Sequence, residues 1–441
     1  MNKRDFIKFS GLATAGLLTG NAWADANASA PKGSPTGSPE GTLTSGLDAL
    51  TSMTGDVIPI SREERLTRIA NAQAIMTKQN IDAIVLEPGA AMVYFSGIQW
   101  WRSERLTAMV IPKTGDVAVV CPFFEEPSIR ESLQVGEDVR VWQEHESPFA
   151  QVVAILNDRG IPSGRVGFEH SVRFFVSQGI VEANPKFVAV SAEPVTRGCR
   201  MYKTAHELAL MHRANAITLT AYQFVYGQLR EGMSQGEVKS LMNSAMSALG
   251  GEQPWSLALF NEASAYPHGT RQSQVIGKGS VVLMDCGCAV QGYQADISRT
   301  FVFGEPSVKQ QKIWNIVREG QRVAMAAAKV GKSAGAVDDA VRAYYLKEGY
   351  GPDYTLPGLS HRTGHGIGME GHESVNFVRG ESTPLNPGMC FSNEPGIYIP
   401  GEFGVRLEDC LYITSKGPVW FTEPPTSLSE PLGKIVPLQS L

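Results

Sequence analysis

Residues 283–301 read LMDCGCAVQGYQADISRTF. Apolar residues run up to Asp285 and resume after Asp296, and the Gln-Gly pair between them is typical of a tight turn. The pattern predicts a β-hairpin whose strands cover about 281–285 and 295–303. Antiparallel pairing of these strands lets Asp285 and Asp296 face each other, close enough to share a cation.

Three further short segments carry acidic or imidazole side chains inside glycine-rich or apolar runs. They read HRTGHGIGMEGHE (361–373), SNEPGIY (392–398) and GVRLED (404–409). An unpaired charge in such a setting is costly, although one such residue alone is compatible with a satisfied polar group of the core. Five of them, at the ends of strands and turns, indicate that a positive group lies among them: Asp285, Asp296, His365, Glu394 and Glu408.

The chemistry of these five side chains indicates a metal site. Four carboxylates and one imidazole are a donor set for Mn²⁺, Fe²⁺, Co²⁺ or Zn²⁺. Four carboxylates over-neutralise one divalent ion but balance the charge of two. Two ions bridged by carboxylates form a site that activates water and polarises a carbonyl group. The motifs therefore predict a dinuclear hydrolase centre.

Length and composition set wider bounds. The chain of 441 residues is long enough for two or three domains. Its 43% hydrophobic and 19% charged residues are typical of a globular protein, and its net charge of −5 argues against nucleic acid or an anionic membrane as the main partner. The six cysteines include no Cys-x-x-Cys pair, which argues against a thiolate zinc site. We predict no disulfide.

The first 24 residues have the parts of an export signal: a basic head, a short apolar core and the cleavage site Ala22-Trp23-Ala24. The head is similar to a twin-arginine signal in which Lys3 replaces the first arginine, and this departure leaves the general secretory route open. The apolar core is too short for a membrane span. The sequence thus predicts a periplasmic protein, with a flexible leader over residues 25–55.

Strand and helix patterns alternate over residues 56–195 and predict a small α/β domain. Trp100 and Trp101 lie on a predicted loop of this domain, with Arg102 and Arg105 nearby. Two interpretations of the tryptophan pair stay open. Either the pair closes over a substrate or a partner subunit, or it is a core or dimer contact that binds no ligand.

The segment Pro194–Gly198 predicts a domain boundary, and residues 196–441 are predicted to form the second domain. Apolar residues repeat with helical spacing over about 205–229, 234–249, 309–329 and 334–348. Together with the hairpin, these helices predict an α+β domain in which a curved antiparallel sheet carries helices on its outer face.

In this order and spacing the four motifs resemble those of the creatinase/aminopeptidase P/prolidase family, the pita-bread-fold metallopeptidases. The resemblance extends from about Tyr202 to Thr414, and the small domain before it is in keeping with that family. It implies a pita-bread catalytic domain that binds two divalent metal ions. The metal roles it implies are a terminal carboxylate at Asp285, bridging carboxylates at Asp296 and Glu408, and a second-metal pair of His365 and Glu394.

The resemblance also implies a set of catalytic residues: His268, His361, His372 and Glu394. A hydroxide that bridges the metals would attack the peptide bond, and Glu394 would take its proton and pass it to the leaving amine. His361, one helical-like turn before His365, and His372 would hydrogen-bond the substrate carbonyl and the developing oxyanion.

Two further residues are candidates for supporting roles. Arg406 lies two residues before Glu408, on the same strand face, and is expected to orient a metal carboxylate. Tyr398, four residues after Glu394, is a candidate for contact with a metal ligand or with the substrate.

The function implied by the resemblance is that of an Xaa-Pro peptidase, of aminopeptidase P or prolidase type, acting on peptides with proline at the second position. Mn²⁺ is the first choice of metal, and a homodimer or homotetramer is the expected assembly. Two alternatives stay open: a metal-dependent lyase of the same fold acting on a small sulfonium compound, and a metal-binding scaffold without activity. Such lyases carry an additional aspartate close after the first metal aspartate, where this chain has Gly287.

Overall fold

In the computed structural model, which describes residues 46–441, the first long helix begins at a capping box between Ser61 and Glu64. The Ser61 hydroxyl accepts from the Glu64 N–H, and the Glu64 carboxylate accepts from the Ser61 N–H. Two backbone donors at the start of the helix are thereby paired. The export signal predicted over residues 1–24 lies outside the described residues, as does the leader up to residue 45.

The N-terminal half alternates helices with strands, as its apolar pattern predicts. Its helices are α1 (Arg62–Gln79), α2 (Ala90–Ser96), α3 (Glu126–Ser132), α4 (Pro148–Asp158), α5 (Phe174–Ala183) and α6 (Glu193–Arg200). Its strands are β1 (Ala83–Leu86), β2 (Ala108–Pro112), β3 (Ala118–Pro122), β4 (Asp138–Trp142), β5 (Gly164–Phe168) and β6 (Phe187–Ser191).

These six strands form one mixed sheet in the order β4-β3-β2-β1-β5-β6. Strand β2 runs antiparallel to β1 and β3, whereas β5 runs parallel to β1. The carboxyl ends of β1, β3 and β5 therefore meet at one edge, and the loop that leads into β2 begins there. Apolar side chains on the two faces of the sheet form two buried clusters, which fix the sheet between its helices.

The C-terminal half combines helices with antiparallel strands. Its helices are α7 (Ala205–Tyr226), α8 (Gln235–Ala248), α9 (Val308–Ala327) and α10 (Gly335–Lys347). Its strands are β7 (Glu252–Phe260), β8 (Ser280–Val290), β9 (Tyr293–Gln294), β10 (Ile297–Phe303), β11 (Gly364–Gly366), β12 (Glu373–Phe377), β13 (Cys390–Asn393), β14 (Gly396–Ile399), β15 (Phe403–Arg406), β16 (Asp409–Thr414), β17 (Gly417–Trp420), β18 (Thr422–Glu423) and β19 (Lys434–Ile435). Helices α7 and α8 pack against β8 and β7, in agreement with the predicted α+β pita-bread fold.

The hairpin predicted around Asp285 is confirmed, with one difference in register. Strand β8 pairs with β10 and, through the turn, with β9. Asp296 lies between β9 and β10, because the N–H of Ala295 bonds back to the Cys288 carbonyl and interrupts the ladder. The residue directly opposite Asp285 is therefore Ser298 rather than Asp296.

A second sheet, in the order β12-β11-β13-β16-β17, brings distant parts of the chain together. Its register pairs Asn393 with Asp409. Glu394 follows the end of β13 and Glu408 precedes the start of β16, so this antiparallel pairing places both glutamates at the same end of the sheet. The short hairpin of β14 and β15 adjoins that end.

The segment from His361 to His365 is extended, so the prediction of a helical-like turn between them is wrong. The Thr363 N–H bonds the Phe377 carbonyl, and β11 follows directly. Glycine is required at position 364, because a Cβ there would lie 2.2 Å from the Ser392 carbonyl oxygen. Sheet pairing therefore determines the conformation of this segment.

The segment Pro194–Gly198, predicted as a domain boundary, lies inside helix α6. Buried ion pairs then tie the chain that follows α6 to β12, since Glu373 lies 2.9 Å from Lys203 and also pairs with Arg200. Burial alone would raise the pKa of Glu373, but the charges of Lys203 and Arg200 outweigh burial and hold the pKa at about 2. The exact boundary between the two domains stays a prediction.

Replacing Glu373 with glutamine is expected to lower the free energy of unfolding at neutral pH by about 3 kcal/mol, because Arg200 and Lys203 lose their buried counter-charge. Since the pKa falls from 4.5 to about 2 on folding, this stabilisation is complete above the first value and is lost as the pH drops towards the second. Urea unfolding of both proteins at neutral pH and at about pH 3.5 measures the difference, which should shrink in acid. Glu348→Gln, at an exposed position after α10, is the matched control. An equal difference at both pH values would contradict the assignment.

Candidate metal centre

The five predicted metal ligands lie in one cluster. Three groups of side chains have potential ligand atoms within 4.8 Å of one another, and they share members: Asp285 with Asp296 and Glu408, His365 with Glu394 and Glu408, and Asp296 with His365 and His372. The hairpin supplies the two aspartates, β11 supplies the histidine, and the aligned ends of β13 and β16 supply the two glutamates. Strand pairing thus brings together residues from four separate motifs.

Asp296 and Glu408 are buried without enough hydrogen bonds. Among the described residues, no group bonds Asp296 Oδ1 or Glu408 Oε1. Burial raises the pKa of both carboxyl groups, and neighbouring carboxylates raise it further: chiefly Glu408 acting on Asp296, and Glu394 acting on Glu408. For Glu394 the same burial raises the pKa to about 7. Without a cation, carboxyl protons reduce the repulsion between these side chains.

His365 presents a nitrogen lone pair to these carboxylates. Its Nδ1–H donates to the Gly366 carbonyl at 3.1 Å, which leaves Nε2 as the unprotonated nitrogen. Nε2 lies 3.4 Å from Glu394 Oε1 and 3.6 Å from Asp296 Oδ2. Burial lowers the pKa of His365 well below its ordinary value, so the ring is neutral. The Nε2 lone pair therefore faces carboxyl oxygens, so that either a carboxyl proton or a bound cation can lie between them.

The donor set fits divalent metal ions. Carboxylate oxygens with one imidazole nitrogen are ligands for Mn²⁺, Fe²⁺, Co²⁺ and Zn²⁺, and the two buried oxygens without partners are the positions that such an ion would satisfy. A nearby hydrogen-bonded carbonyl that orients the histidine is a usual feature of such sites.

Arg406 holds Asp285 in place. Its Nη2 lies 2.6 Å from Asp285 Oδ2, while its Nε donates to the Ser298 hydroxyl at 2.9 Å. That hydroxyl also lies 2.9 Å from Asp285 Oδ1 and 2.7 Å from Glu408 Oε2. Ser298 was missed by the sequence analysis, because the predicted hairpin placed Asp296 opposite Asp285, where the structure has Ser298. Arg406 thus balances the charge of Asp285 at close range, whereas Glu408 Oε2 lies 3.9 Å from the Arg406 Nε.

His361 has both ring nitrogens engaged. Nδ1–H donates to the Arg362 carbonyl at 2.7 Å, and Nε2 accepts from the Tyr398 hydroxyl at 2.7 Å. Burial lowers the pKa of His361 to about 3, so the neutral ring fits this pattern. Arg406 Nη1 lies 3.4 Å from the same Tyr398 oxygen. Tyr398 therefore connects His361 to the arginine that holds a metal ligand.

His268 and His372 are the exposed members of the predicted set. His372 lies with its ring centre 4.1 Å from that of His365, edge to face, and its nitrogens have no hydrogen-bond partner among the described residues. Burial lowers the pKa of His372. His268 follows Pro267, whose carbonyl accepts from Arg406 Nη1 at 3.1 Å. Both histidines are accessible to a substrate.

A buried hydrogen-bond network from helix α10, which the sequence analysis missed, holds the His361 segment. Arg342 Nη2 donates to the His361 carbonyl at 2.6 Å, and Asp338 accepts from the Thr363 hydroxyl at 2.7 Å. Arg342 and Asp338 pair with each other at 2.7 Å within α10. Their i, i+4 spacing is common on exposed helices, so the pattern alone does not indicate a buried role.

Two family models match this chain. Metallopeptidase family M24 matches residues 209–415, and the creatinase/prolidase N-terminal domain matches residues 68–202. An uncharacterized peptidase of Schizosaccharomyces pombe is 32% identical over 84% of this chain and 84% of its own length. The Xaa-Pro dipeptidase of Lactobacillus helveticus is 30% identical over 83% of this chain and 98% of its own length. Among solved structures, dipeptidase PepE of Mycobacterium ulcerans superposes with a TM-score of 0.77 at 29% identity, covering 84% of this chain and 98% of that one.

These relatives correct one prediction. The periplasmic location is wrong, because the comparison with relatives that match about four fifths of this chain, named putative dipeptidase, Xaa-Pro dipeptidase and probable dipeptidase, contradicts it. Export by the twin-arginine route, which was predicted together with that location, is withdrawn with it. Separately, none of the helices within residues 46–441 has the length and apolar character needed to cross a membrane.

Metal binding is expected to release protons below neutral pH. The raised pKa values of Asp296, Glu408 and Glu394 mean that the folded, metal-free site is protonated there, so a metal ion must displace protons. The affinity for Mn²⁺ should rise about tenfold per pH unit for each proton displaced, below the Glu394 pKa of about 7. Calorimetric titration in two buffers of different ionisation enthalpy counts the protons. An affinity that does not change with pH would contradict the protonated cluster.

Proposed function

This chain is a hydrolase of metallopeptidase family M24, and from that premise we propose that it is an Xaa-Pro peptidase with a dinuclear metal centre. The observation that carries the proposal is the cluster of five predicted ligands, in which two buried carboxylate oxygens have no hydrogen-bond partner among the described residues. The preference for proline is supported by the similarity to the Xaa-Pro dipeptidase of Lactobacillus helveticus. The match covers 98% of that dipeptidase.

We assign the metal ligands as the resemblance implies. Asp285 would hold one ion, Asp296 and Glu408 would be shared by both, and His365 with Glu394 would complete the second. When bound, two divalent ions would supply a nucleophilic water and would polarise the substrate carbonyl. Mn²⁺ is the first choice, and Fe²⁺, Co²⁺ and Zn²⁺ suit the same ligands.

Glu394 is proposed as the proton carrier. It takes a proton from the attacking water and gives it to the leaving nitrogen. This second transfer balances the reaction, because the proline nitrogen leaves as a secondary amine whose N–H proton comes from the attacking water. The Glu394 side chain is 13% exposed, so a bound substrate can contact it.

The histidines are proposed to hold the substrate. His372 has free ring nitrogens among the described residues and can donate to the developing oxyanion. His361 is occupied by Tyr398, so it must exchange that hydroxyl for the substrate carbonyl or act on the substrate through it. His268 lies near His361 and His372, in the loop before β8. Arg406 and Ser298 keep Asp285 oriented throughout.

A homodimer or homotetramer remains the proposed assembly, on the basis of the family resemblance. The lyase alternative is disfavoured at Gly287, where an aspartate has no room. A Cβ at this position would lie 2.0 Å from the Ala295 carbonyl oxygen and 2.8 Å from Trp255 Nε1. The scaffold alternative predicts metal binding without turnover, which the following experiment detects.

Protein reconstituted with Mn²⁺ is expected to cleave Ala-Pro or Ala-Pro-Ala at the bond before proline, measured by release of free alanine. Cleavage of the dipeptide alone indicates a prolidase, and cleavage of the tripeptide indicates an aminopeptidase P. Asp296→Asn should lose bound metal and reduce turnover by more than about a hundredfold, whereas Asp339→Asn on the exposed face of α10 should not. Silence on both peptides with two metals bound would refute the proposal and leave the lyase and the scaffold as the remaining alternatives.

His361→Ala is expected to lower kcat by about a hundredfold while the metal content stays at the wild-type level. The reason is that His361 touches Tyr398 and not the carboxylate cluster. Elemental analysis and steady-state kinetics on the same preparation separate the two effects, with His145→Ala at an exposed turn as the control. Loss of metal in His361→Ala would instead move this histidine among the ligands.

A further inference from the structure

Two cavities share one side chain between the two halves of the chain. The first, of about 180 Å³, is lined by His372 of the candidate site and by residues of α6. The second, of about 380 Å³, lies at the carboxyl ends of β1 and β5 and is lined by Trp101 and Arg102. Glu370 lines both cavities. The two cavities therefore adjoin at Glu370, between His372 of the candidate site and the edge of the N-terminal sheet, and together they are called the cleft.

The tryptophan pair forms a rigid platform in this cleft. Trp100 is partly buried and packs against an N-terminal core cluster. Trp101 stacks on Trp100 with ring centres 4.3 Å apart and an interplanar angle of 17°, yet 65% of Trp101 is exposed. The core interpretation is thus wrong for Trp101. A large exposed aromatic ring that is already held by stacking can bind an apolar group at little entropic cost.

Arg102 supplies a positive charge beside this platform. Its Nη2 donates to the Ser171 hydroxyl at 2.6 Å, and among the described residues it has no carboxylate within ion-pair distance. Of the acidic groups that line the same cavity, Glu87 pairs with Arg173 and Glu370 pairs with Arg200. Glu169 accepts from the Ser171 hydroxyl, which therefore lies between this carboxylate and Arg102. Among the described residues, the Arg102 guanidinium therefore has no carboxylate bound to it directly, and its other N–H groups can bind a ligand in this cavity.

We propose that this cavity binds the C-terminal residue of a peptide longer than a dipeptide, with its carboxylate on Arg102 and its side chain on Trp101. The inference rests on the proposed peptidase function, whose scissile bond would lie at the metal cluster. The cleft past His372 and Glu370 gives the chain after proline a path to Arg102. A guanidinium matches a carboxylate in charge and geometry, which favours a free C-terminus over a blocked one.

The test compares Ala-Pro-Phe with its C-terminal amide, using the Mn²⁺-loaded protein. Wild type is expected to favour the free acid by about tenfold in kcat/KM, mainly through KM, because Arg102 binds the carboxylate before and during the reaction. Arg102→Gln should remove this preference. Trp101→Ala should lower kcat/KM by about tenfold for Ala-Pro-Phe relative to Ala-Pro-Gly, because the phenyl ring loses its platform.

Matched controls are Arg130→Gln and Phe123→Ala, which alter an exposed arginine and an exposed aromatic residue that line neither cavity. Both should retain the wild-type preferences, and metal content and melting temperature of all variants confirm folding. Cleavage of acid and amide at equal rates by wild type, or an unchanged ratio in Arg102→Gln, would overturn this inference alone. A change of oligomeric mass in Trp101→Ala would also overturn it, by making Trp101 a subunit contact. No cleavage of any proline peptide would overturn the proposed function and this inference together.

Discussion

Mutual repulsion among buried carboxylates is the constraint on which this structure depends. Asp296 and Glu408 are almost fully buried, and each has an oxygen without a hydrogen-bond partner among the described residues. Such groups are costly unless a proton or a cation compensates them. The two sheets, the α10 network and the Arg406 contacts all hold the carboxylates in this unfavourable arrangement. The fold therefore holds the carboxylates in positions where a bound metal ion would remove their mutual repulsion.

Much of the site could be predicted from the sequence, because each ligand lies in a short motif with its own local pattern. The hairpin around Asp285 follows from an apolar alternation interrupted by a Gln-Gly turn, and the donor types alone indicate hard or borderline divalent ions. The helix starts at Ser61 and Ser234 follow from capping patterns. What these signals share is locality, since each depends on residues only a few positions apart.

The parts that could not be predicted depend on contacts between distant residues. Ser298 opposes Asp285 because a backbone bond at Ala295 interrupts the strand, and nothing in the composition signals that interruption. Likewise, the four-residue spacing of His361 and His365 is equally compatible with a helix turn and with an extended segment. The pairing with β12 and β13 selects the extended form. Contacts between distant residues thus determine the strand register at Ser298 and the extended conformation of the His361 segment, which the local sequence does not determine.

The alignment of Glu394 with Glu408 at the ends of β13 and β16 has a consequence for how the protein matures. The two sides of the carboxylate cluster are far apart along the chain; the hydrogen-bonded Ser298 and Glu408, for example, are separated by 110 residues. An unfolded chain therefore offers a metal only fragments of the site, and loading must follow tertiary folding. A metal ion that binds only the native state then shifts the unfolding equilibrium towards the folded protein by mass action. Metal supply would in this way govern the lifetime of the folded protein as well as its activity.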